Sequence, residues 1–216
     1  MTMRIILGLA FSFAIGALAY WRRSLTASGW LGAVITGTLT FGFGGWSWGL
    51  TLITFFSTSS MLSRYKEAIK ERQAAEKFSK GGRRDLGQTL ANGGIGSVLA
   101  LLYGLIGEPS WLLAAFLGVM ATVTADTWAT ELGVLSSHKP RLITTGRPVA
   151  PGTSGGITLL GTSASAAGSL IIGLAMLCFF IVGEALAGRP LTFPWWMVLA
   201  ALPGGVFGSL CDSLLG

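Results

Sequence analysis

The chain of 216 residues is 51% hydrophobic and only 11% charged, with a mean hydropathy of +0.66. These values exclude an ordinary soluble domain and are typical of a membrane protein with several spans. The formal net charge of +6 does not indicate nucleic-acid binding, because the basic residues fall in particular loops. Glycine is frequent, at 32 residues, which in lipid favours close helix packing. We therefore predict an all-α, polytopic membrane protein with one integral membrane domain over residues 1–216.

Seven apolar segments are predicted to form membrane helices. They cover residues 3–20, 27–43, 46–63, 89–106, 110–130, 156–183 and 194–214. If the N-terminus lies outside, the loops 21–26, 64–88 and 131–155 share one side and carry 13 of the 15 Lys and Arg residues. The positive-inside rule then makes these loops cytoplasmic. We expect a multi-pass protein of a bacterial plasma membrane or a plastid membrane.

Two parts of this assignment have an alternative interpretation. The first segment has the basic, apolar and small-residue order of a signal peptide, but Trp21, Arg22 and Arg23 follow at once and favour a retained helix with a cytoplasmic anchor. Residues 42–48, between the second and third segments, fit either a tight turn between two spans or a kink at the membrane interface.

The loop 64–88 begins with a stretch of alternating charge, residues 64–80, that is rich in helix-forming residues. Glu67 and Glu71 are four residues apart, and basic residues have the same spacing, so acidic and basic rows can interlock along a helix. We expect a solvated cytoplasmic helix that extends the third span. The other long cytoplasmic loop is expected over residues 131–155.

Acidic residues at the ends of apolar segments mark the candidate site. Asp126 and Glu131 end the fifth segment, and Asp212 ends the last one. A charge inside a bilayer costs ~3 kcal/mol or more, so such a residue normally has a cation, a metal or a water-filled cleft beside it. The alternative is a helix end that lipid headgroups and water solvate.

Two glycine-rich segments enter helices near these acids. Asn92-Gly-Gly-Ile95 is predicted to open a helix whose partner returns to Asp126, and Ser154-Gly-Gly-Ile157 opens one whose partner returns to Asp212. This weak parallel repeat predicts that both aspartates converge on one cytoplasmic site. Glycines at a helix N-terminus present backbone N–H groups that suit phosphate.

The residue types in these segments fit phosphate chemistry. Carboxylates without cysteine or several histidines suit a hard cation, and Mg²⁺ takes one or two carboxylates and bridges to phosphate oxygens. Arginines near the acids would bind phosphate, so the set is typical of phosphoryl or nucleotidyl transfer. A single histidine, His138, excludes a His-rich zinc site, and the sequence has neither a P-loop nor a Rossmann motif.

Four blocks of sequence resemble, in order, the integral-membrane family catalogued as domain of unknown function ninety-two. They are Arg84-Asp-Leu-Gly-Gln-Thr-Leu-Ala-Asn-Gly-Gly94, Ala125-Asp-Thr-Trp-Ala-Thr-Glu-Leu-Gly133, Pro151-Gly-Thr-Ser-Gly-Gly156 and Gly208-Ser-Leu-Cys-Asp-Ser-Leu-Leu-Gly216. The resemblance covers residues 20–216. This family includes the plant phytyl-phosphate kinase of vitamin E (tocopherol) synthesis and animal relatives similar to transmembrane protein 19. Members of the family continue beyond the last block, so we expect either a short member or a truncated chain.

The resemblance implies a kinase that converts an isoprenyl monophosphate, such as phytyl or geranylgeranyl phosphate, into the diphosphate. CTP is the donor suggested by the related phytol and dolichol kinases. We expect Mg²⁺ as cofactor, and a nucleoside triphosphate, an isoprenyl monophosphate and membrane lipid as partners, without nucleic acid. Asp126, Glu131 and Asp212 are predicted to be the catalytic, metal-binding carboxylates. The residues predicted to bind substrate or nucleotide phosphates are Arg83, Arg84, Asp85, Asn92, Arg141, Gly152, Thr153, Ser154, Gly155 and Gly156.

Two other classes of function use the same residues. A transporter would use the acids as an ion or proton site, and a lipid cytidylyltransferase would use the same metal and CTP but release pyrophosphate. The predicted position of the acids near one membrane face favours an enzyme that receives a soluble nucleotide.

Overall fold

The computed structural model describes residues 2–74 and 82–215, which form eight α-helices, one π-helical turn and a two-stranded antiparallel sheet. The helices are α1 (Thr2–Trp21), α2 (Ala27–Leu39), α3 (Trp46–Arg64), α4 (Glu67–Gln73), α5 (Leu86–Leu105), α6 (Ser110–Gly133), α7 (Leu159–Leu186) and α8 (Trp196–Leu215). The π-helical turn is Thr40–Gly44, and the strands are β1 (Arg141–Leu142) and β2 (Gly156–Ile157).

All seven predicted membrane segments contain a helix, and the all-α membrane fold is confirmed. Within the described residues, four helices are long and apolar enough to cross a bilayer, namely α1, α6, α7 and α8. Helix α2 has only 13 residues before its backbone widens, while polar residues and glycines lower the hydropathy of α3 and α5. Length and hydropathy therefore support four of the seven predicted spans, and the total number stays a prediction.

The junction between the second and third segments is a tight turn. The π-helical turn is followed by Gly45, whose φ of +86° is a conformation that favours glycine, and α3 begins at the next residue. Phe41 and Trp46 pack edge to face at 5.8 Å across this turn. The aromatic contact holds the end of the π-helical turn against the start of α3.

Side-chain contacts define the two ends of the bundle. Arg4 pairs with Glu108 at 3.3 Å, which joins the start of α1 to the turn between α5 and α6. At the opposite end Leu25 and Arg84 form a parallel β-bridge, and the segment after α3 contacts the end of α6. We call this opposite end the loop end, and its connecting segments are 22–26, 65–74, 82–85 and 134–158.

The buried core combines aromatic stacking with small residues and hydroxyls. Trp48 stacks on Phe116 with ring centroids 4.2 Å apart and contacts Tyr103 at 4.6 Å. Several buried hydroxyls donate to carbonyls one turn earlier in the same helix, as Thr124 does to Met120 at 2.7 Å. These groups are satisfied within their own helix, as a bilayer requires.

Helices α6, α7 and α8 pack closely because glycines leave room for neighbouring backbones. A Cβ atom on Gly205 of α8 would lie 2.9 Å from the Ala121 carbonyl oxygen of α6 and 2.8 Å from the Ser169 Cβ of α7. A Cβ atom on Gly161 of α7 would lie 3.1 Å from the Ala129 carbonyl oxygen. Such close approach is the typical use of small residues in membrane bundles.

Two expectations about loop 64–88 need correction. Helix α4 does not extend α3, because Lys66 takes a left-handed conformation (φ 53°) between them, and the rest of the predicted charged helix lies outside the described residues. Helix α5 begins at Leu86 rather than near Asn92, because Asp85 and Gln88 form a capping box there. The Asn92-Gly-Gly segment therefore lies inside a helix, unlike Ser154-Gly-Gly, its predicted equivalent.

Gly205→Ala should lower the melting temperature of the detergent-purified protein by about 5 °C, because overpacking by one methyl group costs about 1–3 kcal/mol. Gly204→Ala is the matched control, since a Cβ atom there meets no atom within 4 Å. That variant should be neutral or slightly stabilised, because alanine favours a helix by up to ~1 kcal/mol over glycine. Equal melting temperatures for the two variants would contradict the packing of α8 described above.

Candidate functional site

A polar cleft with a volume of about 100 Å³ lies at the loop end between α6, α7 and α8. Asp126 of α6 and Asp212 of α8 both line it. Asp126 is seven residues from the end of α6, about 10 Å along the axis, and Asp212 is three residues from the end of α8. Two carboxylates that are distant in sequence therefore meet in one cleft near an end of the bundle.

The segment 152–158 forms one wall of this cleft. Gly152 (φ +85°) and Gly155 (φ +73°) adopt left-handed conformations, so the chain turns twice before it enters β2. The Gly155 carbonyl accepts a hydrogen bond from the Ile143 amide at 2.9 Å, and a Cβ atom on Gly155 would lie 3.0 Å from the Ser213 carbonyl oxygen of α8. The glycines therefore bring this wall against the helix that carries Asp212.

The N-terminus of α7 opens into the same cleft. Thr158 is the N-cap, and its hydroxyl accepts a hydrogen bond from the Gly161 amide at 3.0 Å. Two turns further, Ser165 lines the cleft with only 2% of its surface exposed, and its Oγ has no hydrogen-bond partner among the described residues. A positive helix terminus and an unsatisfied buried hydroxyl are both features of a site that binds a polar, anionic ligand.

The side chains of the described cleft lining carry charge of one sign. Asp126 and Asp212 supply two carboxylates, and no Lys or Arg belongs to this lining. Two carboxylates in one cavity are a common pair of ligands for a cation, which in turn attracts phosphate. The donor set of carboxylates, hydroxyls and backbone carbonyls consists of oxygens, which is the ligand type that Mg²⁺ prefers.

Glu131 does not line this cleft. Its carboxylate contacts the Lys70 ammonium at 2.6 Å and accepts a hydrogen bond from the Ser63 hydroxyl at 2.6 Å. Five residues of α-helix place Glu131 about 140° around α6 from Asp126, so the two acids point to different neighbours. The three predicted carboxylates thus occupy two sites. No group of three His, Cys, Asp or Glu side chains in residues 2–74 and 82–215 lies close enough to hold a metal ion.

The environment of Lys70 differs from the solvated helix that we expected. Lys70 is fully buried although α4 has only seven residues, and its ammonium also donates to the Leu62 carbonyl. The pair with Glu131 therefore anchors α4 to the ends of α3 and α6. Immediately after α4, Ala74 packs against Gly152 of the cleft wall.

The predicted phosphate-binding residues around the start of α5 lie outside the cleft. Arg83 donates to the Leu25 carbonyl at 3.2 Å, and Arg84 donates to the Ser60 hydroxyl at 2.9 Å. Asp85 caps α5, and Asn92 lines a different, mainly apolar cavity together with Arg84. These four residues therefore lie beside α2 and α3 rather than beside the two aspartates.

Of the other predicted phosphate ligands, those in the glycine-rich loop line the cleft and Arg141 does not. The glycine-rich loop lies entirely in the lining, through Gly152, Thr153, Ser154, Gly155 and Gly156. Arg141 is the neighbour of the cleft residue Pro140, but it is exposed, and its guanidinium donates to the Gly146 carbonyl at 3.0 Å. The cleft thus combines two of the predicted carboxylates with the complete loop.

Sequence reasoning overlooked Ser165 and Lys70. Ser165 could have been found, because Gly161, Ser165 and Gly168 follow a helical spacing that marks a face of small residues. Lys70 carries no comparable signal, since its spacing to Glu67 and Glu71 is that of an ordinary solvated helix. Its tertiary contact with Glu131 is what distinguishes it.

Comparison with known proteins finds relatives whose similarity extends over most of this chain. The family described as integral membrane protein DUF92 matches residues 10–216. Protein PGR of Arabidopsis thaliana is 35% identical over 99% of this chain and 78% of its own length. An uncharacterized membrane protein of Methanocaldococcus jannaschii is 35% identical over 90% of this chain and 74% of its own. A further uncharacterized membrane protein, from Synechocystis, is 30% identical over 76% and 63%. No solved structure matches the chain.

Lys70→Met should destabilise the protein by about 3–5 kcal/mol, because it leaves the Glu131 carboxylate buried without its ammonium partner. The double variant Lys70→Met with Glu131→Gln should be less destabilised than the sum of the two single variants, since neither charge of the pair remains. Chemical unfolding in detergent, followed by tryptophan fluorescence, measures all three free energies. Additive effects would contradict the direct contact between the two side chains.

Proposed function

We propose that this chain, which belongs to the family of integral membrane proteins DUF92, is a kinase of isoprenyl monophosphates. It is a multi-pass membrane protein, and the proposal extends this coarser assignment to a reaction. The observation that carries the proposal is the cleft in which Asp126 and Asp212 meet the glycine-rich loop and the N-terminus of α7. The family resemblance supports the choice of an isoprenyl acceptor and CTP, and the cleft supports the phosphate chemistry.

Asp126 and Asp212 are proposed to hold Mg²⁺, which would supply positive charge for phosphate binding. Two carboxylates agree with the usual Mg²⁺ site, which leaves its other positions to water and substrate phosphates. The glycine-rich loop and the α7 N-terminus would donate backbone N–H groups to the nucleotide phosphates. Ser165, whose Oγ is unsatisfied within the described residues, would donate its hydroxyl at the inner part of the cleft.

The proposed reaction needs no general base. The acceptor phosphate monoester is already an anion, so one of its oxygens attacks the γ-phosphorus directly. The bond between that phosphorus and the β-phosphate oxygen breaks, and the nucleoside diphosphate leaves without any proton removed from the acceptor. The described cleft lining contains no histidine, which agrees with this chemistry. The task of the protein is to hold two polyanions together in line.

The loop end is proposed to face the cytoplasm. The loops that carry most of the Lys and Arg residues are at this end, as the positive-inside rule requires. A soluble nucleotide could then reach the cleft from water, while the hydrocarbon tail of the acceptor stays in the bilayer. The position of Asp126 and Asp212 near the helix ends supports this arrangement over the midplane site that a transporter would use.

The activity is tested with purified protein in detergent, Mg²⁺, and phytyl or geranylgeranyl monophosphate. CTP, ATP, GTP and UTP are supplied separately, and the lipid products are identified by mass. We expect isoprenyl diphosphate and a nucleoside diphosphate, with CTP as the best donor. A cytidylyl-lipid with pyrophosphate would identify a cytidylyltransferase instead. Lack of turnover with every donor, in folded protein, would favour a transporter.

Asp126→Asn and Asp212→Asn should each lower kcat by at least about a hundredfold, because each variant removes a charge that the proposed metal site needs. Glu108→Gln is the control, since it makes the same chemical change at the opposite end of the bundle. That variant should keep its turnover. Full activity of Asp126→Asn would show that the cleft is not the active site.

A further inference from the structure

A second cavity opens between α1 and α3 and has a volume of about 540 Å³. Leu18 of α1 and Met61 of α3 line it and are 48% and 72% exposed, so the cavity opens sideways onto the surface that the bilayer covers. It lies next to the apolar cavity of about 70 Å³ that Arg84 and Asn92 line, since Ile15, Ala19 and Phe56 line both cavities. We call the two cavities together the lateral groove.

The polar end of the lateral groove carries only positive charge in its described lining. Arg22 and Arg64 line its outer part, and Arg84 lines its inner part, whereas neither cavity has an Asp or Glu among the described residues that line it. The guanidinium of Arg64 donates to the Ser24 hydroxyl at 2.7 Å and to the Arg22 carbonyl, so it is held at the loop end. Three arginines at one end and hydrocarbon along the rest form an amphipathic site.

The guanidinium of Arg84 has few polar groups around it to replace the water that it loses on folding. Its guanidinium lies over the rings of Phe55 and Phe56, 5.7 and 5.5 Å from their centroids, and donates to the Ser60 hydroxyl. Desolvation by burial lowers the pKa of Arg84, and the charge of Glu131 opposes this shift only in part. A guanidinium in this environment gains from an additional anionic partner, and phosphate fits its planar donors.

The lateral groove and the cleft share no described lining residue: α1, α2, α3 and α5 form the groove, whereas α6, α7 and α8 form the cleft. Arg84 is close enough to interact with the charge of Glu131, which faces α3 and α4. Asp126, on the same helix, lines the cleft formed with α7 and α8, about 140° away around the helix axis. A phosphate held by the arginines would therefore lie in a different cavity from a nucleotide held by the aspartates. For this reason we assign the groove a ligand other than the reacting phosphate.

We propose that the lateral groove binds an anionic phospholipid of the surrounding bilayer. Its phosphate contacts Arg22, Arg64 and Arg84 at the loop end, and one acyl chain lies along α1 and α3. Charge complementarity selects the headgroup, because basic pockets between membrane helices attract anionic lipids. Because the groove opens sideways into the bilayer, its occupant is a lipid that diffuses within the membrane rather than a soluble phosphate. This site holds whether or not the chain is a kinase.

The test measures lipid binding without nucleotide. Native mass spectrometry of the full chain, purified in detergent, titrates phosphatidylglycerol and phosphatidylcholine that have identical acyl chains. We expect phosphatidylglycerol to bind at least about tenfold more tightly, since each basic residue near an anionic lipid contributes about a factor of five.

The double variant Arg22→Gln with Arg64→Gln should weaken phosphatidylglycerol binding roughly twenty-five-fold, because it removes two of these contributions. Arg23→Gln is the matched control, since Arg23 carries the same charge next to Arg22 but does not line the groove. Equal binding of the two lipids to the unmodified protein, or equal losses in Arg23→Gln and in the double variant, would overturn the proposal.

A second variant tests the groove without changing Arg64, in case the loss of this arginine disturbs folding. Ser57 lines the outer groove and is exposed, so Ser57→Trp obstructs the groove without a change of charge and should reduce the preference for phosphatidylglycerol. Displacement of phosphatidylglycerol by equimolar geranylgeranyl monophosphate would overturn the proposal, because the occupant would then be an isoprenyl phosphate. None of these experiments measures kinase turnover. The proposed lipid site and the proposed kinase activity can therefore be disproved independently of each other.

Discussion

The contact between α6 and α7 at Gly133 and Gly161 is the constraint on which the cleft depends. A Cβ atom on Gly133 would lie 3.3 Å from the Gly161 Cα, and the Thr158 hydroxyl donates to the Gly133 carbonyl at 3.4 Å. Helices that approach this closely have little freedom to rotate, because any larger side chain would meet a backbone. The positions of Asp126 and Ser165 on their two helices are therefore fixed by glycines that carry no functional group. The cleft is the space beside this contact, and the segment 152–158 covers it.

Helix α6 contributes an acidic residue to each of two polar sites, the cleft and the contact with Lys70. On one face it presents Asp126 to a cleft whose described lining has no basic residue, and on another it presents Glu131 to the fully buried Lys70. A buried carboxylate with an ammonium 2.6 Å away has its charge balanced and is a poor ligand for a further cation. This contact gives Glu131 a structural role, which holds α4 in place. Because Ala74 after α4 touches Gly152, the packing of α4 also supports the wall of the cleft.

The sequence was sufficient to predict those features that depend on local chemistry. Hydropathy located all seven helical segments, and the two Asp-containing helix ends with their glycine-rich loop led to residues that line the cleft. The positions of Arg84 and Glu131 could not be predicted, because they depend on which face of a helix meets which neighbour. Asp85 is a different case, because the capping box that it forms with Gln88 is a local signal that the sequence does carry. It was predicted to be a ligand although its carboxylate satisfies the first turn of α5.

The separation of acids and arginines at the loop end has a physical consequence for both proposed sites. If Arg84 lay within the cleft, it would pair with Asp126 or Asp212, and the carboxylates would lose much of their attraction for a divalent cation. If the aspartates faced the lateral groove, they would repel a phosphate from the three arginines. The two charge sets line different cavities, which share no described residue. Charges of one sign that gather in a low-dielectric region are costly, and a bound ligand of opposite sign offsets part of that cost. The three arginines would therefore gain from an anionic ligand in the lateral groove.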